Sequence, residues 1–469
     1  MPDVNKESLL ARLEPFGQQP LLRFWDELDE GRRTRLAAQI EDLDLPLVRR
    51  LFSGGDTGPD WSELAARAAP PRAVRLDGSG SPHSRDDARR RGEQALRAGQ
   101  VGMVLVAGGQ GSRLGFEHPK GMFPIGPVSN RTLFQVLIDL LLAVRERYQA
   151  AIPLYIMTSP ATHDETVEYL GRHDRFGLPE EDVRYFCQGV MPAVDDASGE
   201  ILLAERGSLA LSPDGHGGML AALGKSGCLD DLRRRGIERL FYGQIDNPLI
   251  QLCDPEMLGY HLLAESELTT HVVAKIDPLE RVGNVVTLDG QLRIIEYSDL
   301  PESAARRTDA HGHLELWAGN LAVHIFDVAF LERMLGREDA LPFHRAHKKA
   351  PHVDQQGNLV EPETPNAVKF ERFIFDLLPM AANALAVEGA KQEAFAPVKN
   401  ADGAPSDTPA SAKQLMIDQH TRWLRAAGAE VDDGVPVEIN PRFALDPGEL
   451  ADKLPHGRRI SQPTYFDAE

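Results

Sequence analysis

Three cysteines in 469 residues, Cys187, Cys228 and Cys253, are too few for a disulfide framework, and their spacing fits no metal knuckle. Basic residues are the minority: 51 Lys and Arg against 71 Asp and Glu leave a formal charge of −20. That balance argues against a surface built for nucleic acid or for an anionic membrane. No apolar run nears the roughly 20 residues of a membrane span; Leu140–Val144 is typical of the longest. The opening Met1-Pro2-Asp3-Val4-Asn5-Lys6-Glu7 lacks the basic-then-apolar order of a secretory signal. Internal repeats and long low-complexity tracts are also missing. What is present, 42% hydrophobic and 26% charged residues, is the composition of a folded cytoplasmic protein with material for about three domains.

Periodicity divides the chain. Leu9, Leu13, Leu21, Phe24, Trp25, Leu28, Leu36, Ile40 and Leu47 recur at helical spacing, which predicts a helical N-terminal domain over residues 1–98. Loops rich in Gly, Ser, Pro and Asp are expected at Ser53–Pro59 and Gly78–Asp87, and a short basic helix at Arg89–Ala98. From Val101 the pattern becomes strand, loop, helix. Strands are predicted at Met103–Ala107, Pro153–Thr158, Arg239–Asp246, His271–Ile276, Asn284–Leu288 and Leu321–Ile325, and a helix along Leu133, Val136, Leu137, Leu140, Leu141 and Val144. Strands alternating with helices predict an α/β domain with a mixed, mainly parallel sheet over residues 99–400. The polar stretch Leu300–Leu314 reads as a surface excursion, and residues 401–469 as a small C-terminal domain.

The most informative segment is Gly108-Gly109-Gln110-Gly111-Ser112-Arg113-Leu114-Gly115, followed by Pro119-Lys120-Gly121. Glycines after a strand let peptide N–H groups approach phosphate oxygens. Arg113 and Lys120 add the positive charge that the whole composition lacks. A P-loop is excluded because Pro119 precedes Lys120. The dinucleotide fingerprint is excluded because the glycine spacing is one residue too long, and Asn130-Arg131-Thr132 stands where a ribose-binding acid would be needed.

These residues resemble the signature of eukaryotic-type UDP-N-acetylglucosamine pyrophosphorylases, and the resemblance continues along nearly the whole chain. It runs through Gln188-Gly189, Ser212-Pro213-Asp214-Gly215-His216-Gly217-Gly218, Asp246-Asn247, Lys275–Gly283, Glu296-Tyr297, Ala318-Gly319-Asn320, Phe370–Asp376 and Phe395–Asn400. It implies a three-layer nucleotidyltransferase core of Rossmann-like type and a uridylyltransferase that makes UDP-N-acetylglucosamine and pyrophosphate from UTP and N-acetylglucosamine 1-phosphate. The chemistry is in-line attack on the α-phosphorus, so the protein's task is positioning and charge neutralisation.

By the same resemblance, Arg113, Lys120 and Lys399 are the catalytic cations, and Gly108, Gly109, Gly111, Gln188, Pro213 and Gly215 bind the nucleotide. His216, Gly283, Glu296, Tyr297, Asn320, Phe373 and Phe375 bind the sugar, and Asp246 holds Mg²⁺. The implied partners are UTP and a sugar 1-phosphate, with no nucleic acid, membrane or obligatory protein partner. Taken singly, several of these residues read otherwise: Asp246 as a turn former, Phe373 and Phe375 as core, Lys399 as a solvated lysine. His344, His347 and His352 could suggest zinc, but beside Lys348-Lys349 they read as a solvated basic segment. His216 departs from the family's asparagine towards UDP-glucose and broad UDP-sugar pyrophosphorylases, and an imidazole can carry charge. Glucose 1-phosphate is therefore the second candidate substrate. The other rivals are a nicotinamide-dependent oxidoreductase and a nucleotide-sugar-binding regulatory protein without turnover.

Overall fold

The computed structural model describes residues 5–54, 60–337, 339–455 and 457–468. The chain forms two compact units, each assembled from separated stretches. The smaller takes Met1–Pro59, Gln188–Met219 and Leu341–Ile374; the larger takes Asp60–Cys187, Leu220–Ala340 and Phe375–Glu469. The three consecutive segments expected from the sequence differ from this division, for reasons visible in the packing.

The larger unit is built on a ten-stranded mixed sheet. Its strands are β1 (Ala73–Val74), β2 (Val101–Val106), β3 (Leu154–Thr158), β4 (Val183–Cys187), β5 (Arg239–Gln244), β6 (Leu268–Ala274), β7 (Asn284–Leu288), β8 (Gln291–Ile295), β9 (Ala318–Asp327) and β10 (Leu385–Glu388). The order is β1-β10-β6-β9-β5-β2-β3-β4, with β7 pairing β8 and β9. Pairs β5–β2, β2–β3, β3–β4, β6–β10 and β1–β10 are parallel, whereas β9 runs antiparallel to both β5 and β6. The expected mixed, mainly parallel sheet is therefore present, and all six predicted strands form, Asn284–Leu288 with the predicted ends and the other five with shifted ones. β2, Val-Gly-Met-Val-Leu-Val, is buried almost throughout, as a central parallel strand must be.

The chain passes from β2 to β3 and β4 on one side and later places β5 on the other. The carboxyl ends of β2 and β5 thus flank a switch point, where open α/β sheets bind ligands. Val106 pairs with Gln244, and Ile245 N–H donates to Val106 O at 3.0 Å, so the glycine loop and Asp246 leave the sheet side by side.

Helix Leu133–Tyr148 begins at a capping box in which Thr132 and Gln135 satisfy each other's backbone N–H groups. Helix Arg85–Arg97, capped by Ser84, starts within the loop expected at Gly78–Asp87. It packs on helix Pro255–Leu263 through two glycines. A Cβ at Gly92 would overlap the Pro255 backbone, and one at Gly259 the Ala88 backbone. Residues from Asp60 onward accordingly belong to the larger unit rather than to an N-terminal domain.

Leu300–Leu314 is more than a surface excursion. It carries helix Glu302–Ala305, and Leu300, Ala304 and Ala305 are buried with Ala65, Ala68, Val286, Ile295 and Leu316. Arg307 locks the contact by donating to the carbonyls of Ala65 and Ala68 at 2.9 and 2.6 Å. The C-terminal stretch has an apolar cluster of its own around Leu424, Val437, Ile439, Leu450 and Phe466, entered through helix Pro409–Ala426.

In the smaller unit the N-terminal helices do not form a core alone. Leu9, Leu13, Leu21, Leu22, Trp25, Leu36 and Ile40 pack with Met191, Val194, Ile201, Leu203, Leu209, Val368 and Phe370. Gln18 fixes this docking: its amide donates to Gly199 O at 3.0 Å and accepts from Ile201 N–H at 2.8 Å. Of the loop expected at Ser53–Pro59, Ser53 ends helix Leu45–Ser53, and residues 55–59 lie outside the described residues. Among the described residues no helix is long and apolar enough to cross a membrane.

Candidate active site

The glycine loop follows β2 directly. Ala107 N–H still donates to Met157 O at 2.8 Å, and Ser159 Oγ donates to Gly108 O at 2.7 Å, so the first glycine is held from its carbonyl side. The loop then folds on itself: Lys120 N–H donates to Gly109 O at 3.0 Å and Gly111 N–H to His118 O at 2.9 Å. Gly111 therefore acts as a shaping residue, since its N–H is spent inside the loop and a Cβ there would lie 2.7 Å from Phe116 Cδ1. Gly109 is different. It is exposed, and the only heavy atom a Cβ would approach is Lys120 Cε at 4.0 Å. Arg113 is exposed on the short turn Ser112–Leu114, and among the described residues no carboxylate pairs with it.

The structure brings Lys120 and Asp246 together. Lys120 Nζ lies 3.8 Å from Asp246 Oδ2, both side chains 15% exposed. Lys399 arrives from residues 394–399, a segment tied to the end of β5 by three hydrogen bonds. Asn247 Nδ2 donates to Ala394 O at 2.8 Å, Ala396 N–H to Asn247 Oδ1 at 3.0 Å, and Val398 N–H to Asp246 O at 2.8 Å. The N–H groups of Lys399 and Asn400 both donate to Asp407 O, at 2.7 and 3.0 Å.

Asp407 was absent from the sequence-based set. Burial holds its carboxyl above the ordinary carboxylate range against the pull of Lys399, and the charge of Asp246 adds to the rise. Its φ of 59° marks a forced backbone. The only signal in the sequence was its place before Thr408-Pro409, a helix start. Asn247 lies in the Asp246-Asn247 motif, but its bridging role arises only in the fold.

The expected sugar residues of the larger unit also converge. A Cβ on Gly283 would lie 2.9 Å from Ile294 Cγ2 and 3.1 Å from Glu296 Oε1, with Asn320 Cβ at 3.7 Å, so glycine is what leaves room for Ile294 and Glu296 here. Asn320 N–H donates to Gly283 O at 2.8 Å, and its Oδ1 accepts from Ala322 N–H at 3.0 Å. Tyr297 is 49% exposed beside this group. Phe375 is 4% exposed and belongs to the larger unit.

The remaining candidates lie in the smaller unit. Gln188 is buried and precedes strand Val190–Pro192, which pairs antiparallel with Leu211–Pro213 so that Val190 stands opposite Pro213. Asp214 N–H donates to Gly189 O at 3.0 Å, Arg372 N–H to Asp214 O at 2.7 Å, and Gly217 N–H to Arg372 O at 2.8 Å. Gly215 has φ 84°, and a Cβ there would overlap the Arg372 backbone.

His216 stacks on Phe373 at 5.4 Å between ring centroids, with His344 on Phe373 at 4.5 Å. Ile374 N–H donates to His216 Nδ1 at 3.3 Å. Burial, and secondly the charge of His344, pushes the His216 imidazole down to about 4. The charge that an imidazole can carry is therefore absent near neutral pH. His344 turns onto Phe373, whereas His347, Lys348 and Lys349 are exposed, which limits the solvated reading to the outer half of that segment.

A cavity of about 580 Å³ in the larger unit, lined by Arg147, Leu249, Met416, Trp423 and Tyr465 among others, includes none of the predicted site residues. Among the described residues no group of three or more metal-ligating side chains occurs.

A glycine loop and an aspartate leaving neighbouring strands at the switch point of a mixed, mainly parallel α/β sheet make up the architecture of a nucleotidyltransferase. Residues 82–445 match the family described as UTP–glucose-1-phosphate uridylyltransferase, and the chain belongs to that family. It is 36% identical to a UDP-N-acetylhexosamine pyrophosphorylase-like protein 1 of Xenopus tropicalis, over 92% of this chain and 88% of that one. It is 34% identical to UDP-N-acetylglucosamine diphosphorylase 2 of Arabidopsis thaliana, over 97% and 93% of the two chains. The uridine diphosphate N-acetylglucosamine pyrophosphorylase of Trypanosoma brucei superposes with a TM-score of 0.80 at 27% identity, covering 97% of this chain and 98% of that one.

Proposed function

We propose that this chain is a UTP:sugar-1-phosphate uridylyltransferase that converts UTP and N-acetylglucosamine 1-phosphate to UDP-N-acetylglucosamine and pyrophosphate. The observation that carries the reading is the gathering of Lys120, Asp246 and the Lys399 segment beside an exposed Gly109 at the switch point of the sheet. An acidic chain of net charge −20 needs such local cations to bring two polyanions together.

In the reaction, a phosphate oxygen of the sugar 1-phosphate bonds to the α-phosphorus of UTP. The bond from that phosphorus to the bridging oxygen breaks, and the electron pair leaves with pyrophosphate. No protein nucleophile is needed. Lys120 and Arg113 offset the charge of the triphosphate and the departing pyrophosphate, and Lys399 offsets charge on the transferred phosphoryl group. Gln188 matches a uracil edge with its paired donor and acceptor, and Gly215 allows close packing near the base. Glu296, Asn320 and the Gly283 backbone hydrogen-bond sugar hydroxyls.

The donor set fits Mg²⁺. One reachable carboxylate, Asp246, with Asp407 close enough to feel its charge, is the lean protein contribution this ion accepts when phosphates and water supply its other ligands. Bound there, Mg²⁺ would supply further neutralisation of phosphate charge. Free cysteines at 187, 228 and 253 suit a reducing cytoplasm.

The test is a pyrophosphate-release panel with UTP, Mg²⁺ and the 1-phosphates of N-acetylglucosamine, N-acetylgalactosamine, glucose and galactose. N-acetylglucosamine 1-phosphate should give the highest kcat/KM. Faster release with glucose 1-phosphate would move the assignment to the glucose enzymes. UDP-sugar binding without release would make the chain a regulatory binder. Thermal protection by NAD(H) but not UTP would revive the oxidoreductase reading.

A further inference from the structure

We propose that Asn247 is a positioning residue for catalysis, acting through Lys399. The inference rests on the uridylyltransferase reading. Asn247 is 4% exposed and uses both ends of its carboxamide on backbone. Its Nδ2 donates to Ala394 O at 2.8 Å, while Oδ1 accepts from Ala396 N–H at 3.0 Å and from Leu249 N–H at 3.3 Å. One side chain thus replaces a strand neighbour for residues 394–396, outside any regular ladder.

The geometry places this clamp between two charges. Asp246 is its neighbour in sequence, and Asp246 O takes the next hydrogen bond, from Val398 N–H at 2.8 Å. Lys399 follows at once and is held on its far side by Asp407 O at 2.7 Å. Ala394, Ala396 and Val398 are buried, so the segment cannot drift outward without opening the core. The backbone from which the Lys399 side chain extends is therefore tied to Asp246-Asn247 by three hydrogen bonds, two of them made by Asn247. A displacement of about 1 Å at a catalytic group can cost on the order of 100-fold in rate. A cation that acts on charge developing in the reaction loses kcat rather than substrate affinity when displaced.

The experiment is a double-mutant cycle on kcat with Asn247→Ala and Lys399→Ala, using UTP, N-acetylglucosamine 1-phosphate and Mg²⁺, well below the melting temperature of each variant. Asn247→Ala alone should lower kcat roughly 10- to 100-fold with KM for UTP within about 3-fold. On the Lys399→Ala background it should change kcat less than about 3-fold, because the group it positions is gone. A full second loss on that background, or an effect confined to KM, overturns the proposal.

Asn247→Asp, which keeps the shape and the acceptor but loses the donor to Ala394, repeats the cycle if Asn247→Ala does not fold. Failure of both variants to fold makes the role structural and overturns it too. Wild-type protein without turnover defeats the functional reading and this inference together. Active wild type with an additive cycle defeats only this inference.

Discussion

The two units assemble their candidate residues by different physical means. The larger brings charges together through sheet topology: β2 and β5 lie in register, so the loop after one and the aspartate after the other become neighbours, with Lys120 and Asp246 3.8 Å apart. The smaller assembles a shape. Gly215 and Gly217 press against the Arg372 backbone, and His216, Phe373 and His344 form a stack of rings. Charge placed by long strands tolerates a lost side chain without loss of fold. A shape made by absent Cβ atoms does not tolerate an added one.

The sharpest break of that contrast would come from Lys399→Ala. Turnover should fall roughly 10²- to 10³-fold while the unfolding free energy changes by less than about 1 kcal/mol. Steady-state kinetics beside urea denaturation checks both, and an equal loss of fold would remove Lys399 from the catalytic set. Next comes a matched pair of glycines. Gly215→Ala must adopt φ near 84° and overlap Arg372, and should cost about 2–4 kcal/mol in a denaturant melt. Gly109→Ala meets nothing closer than 4.0 Å, so stability should hold within about 0.5 kcal/mol while kcat/KM for UTP drops about 10-fold. If Gly109→Ala destabilises as much as Gly215→Ala, the two regions do not differ in kind.

A third effect is one of pH. Burial pushes His271 and His420 in the larger unit, and His216 in the smaller, down to about 4. Unfolded rings titrate near 6.5, so between pH 6.5 and 4 the unfolded chain binds more protons than the folded one. Stability should fall as pH is lowered through that window, by up to about 1.4 kcal/mol per pH unit for each ring, and the slope from these rings should fade above about pH 7.5. Chemical denaturation at pH 7, 6 and 4.5 measures it, and a flat profile would mean that the rings accept protons in place. The smallest effect should come from the His216 ring. Uncharged at neutral pH, it should leave the kcat/KM ratio of N-acetylglucosamine to glucose 1-phosphate unchanged from pH 6 to 8. His216→Asn should alter that ratio only a few-fold, whereas a steep pH dependence abolished by His216→Asn would show a charged ring.

Much of this was legible in the sequence where a pattern is local. The apolar run of β2, the glycine loop and the capped helix Leu133–Tyr148 declare themselves within a few residues. The hairpin β7–β8 is equally local. Asp289 and Gly290, with φ of 51° and 82°, form the Asp-Gly turn favoured between two short strands. Other features depend on residues far apart in the chain. Gly283 is a spacer because Ile294 and Glu296 come to it, and Asn247 is a clamp because residues 394–396 return to it. Asp407 has no chemical signature of its own. The discontinuous make-up of the two units has the same origin, since the N-terminal helices bury their apolar faces against strands near residues 194 and 368.

The glycine crossing of helices Arg85–Arg97 and Pro255–Leu263 has a practical consequence. Backbone lies on backbone there, at a distance no side chain could substitute for. A fragment begun at Gly99, a natural choice for anyone isolating the sheet, would leave Gly259 facing water along an apolar furrow. Such a fragment should be recovered as aggregate, and supplying residues 60–98 as a separate peptide should restore its solubility.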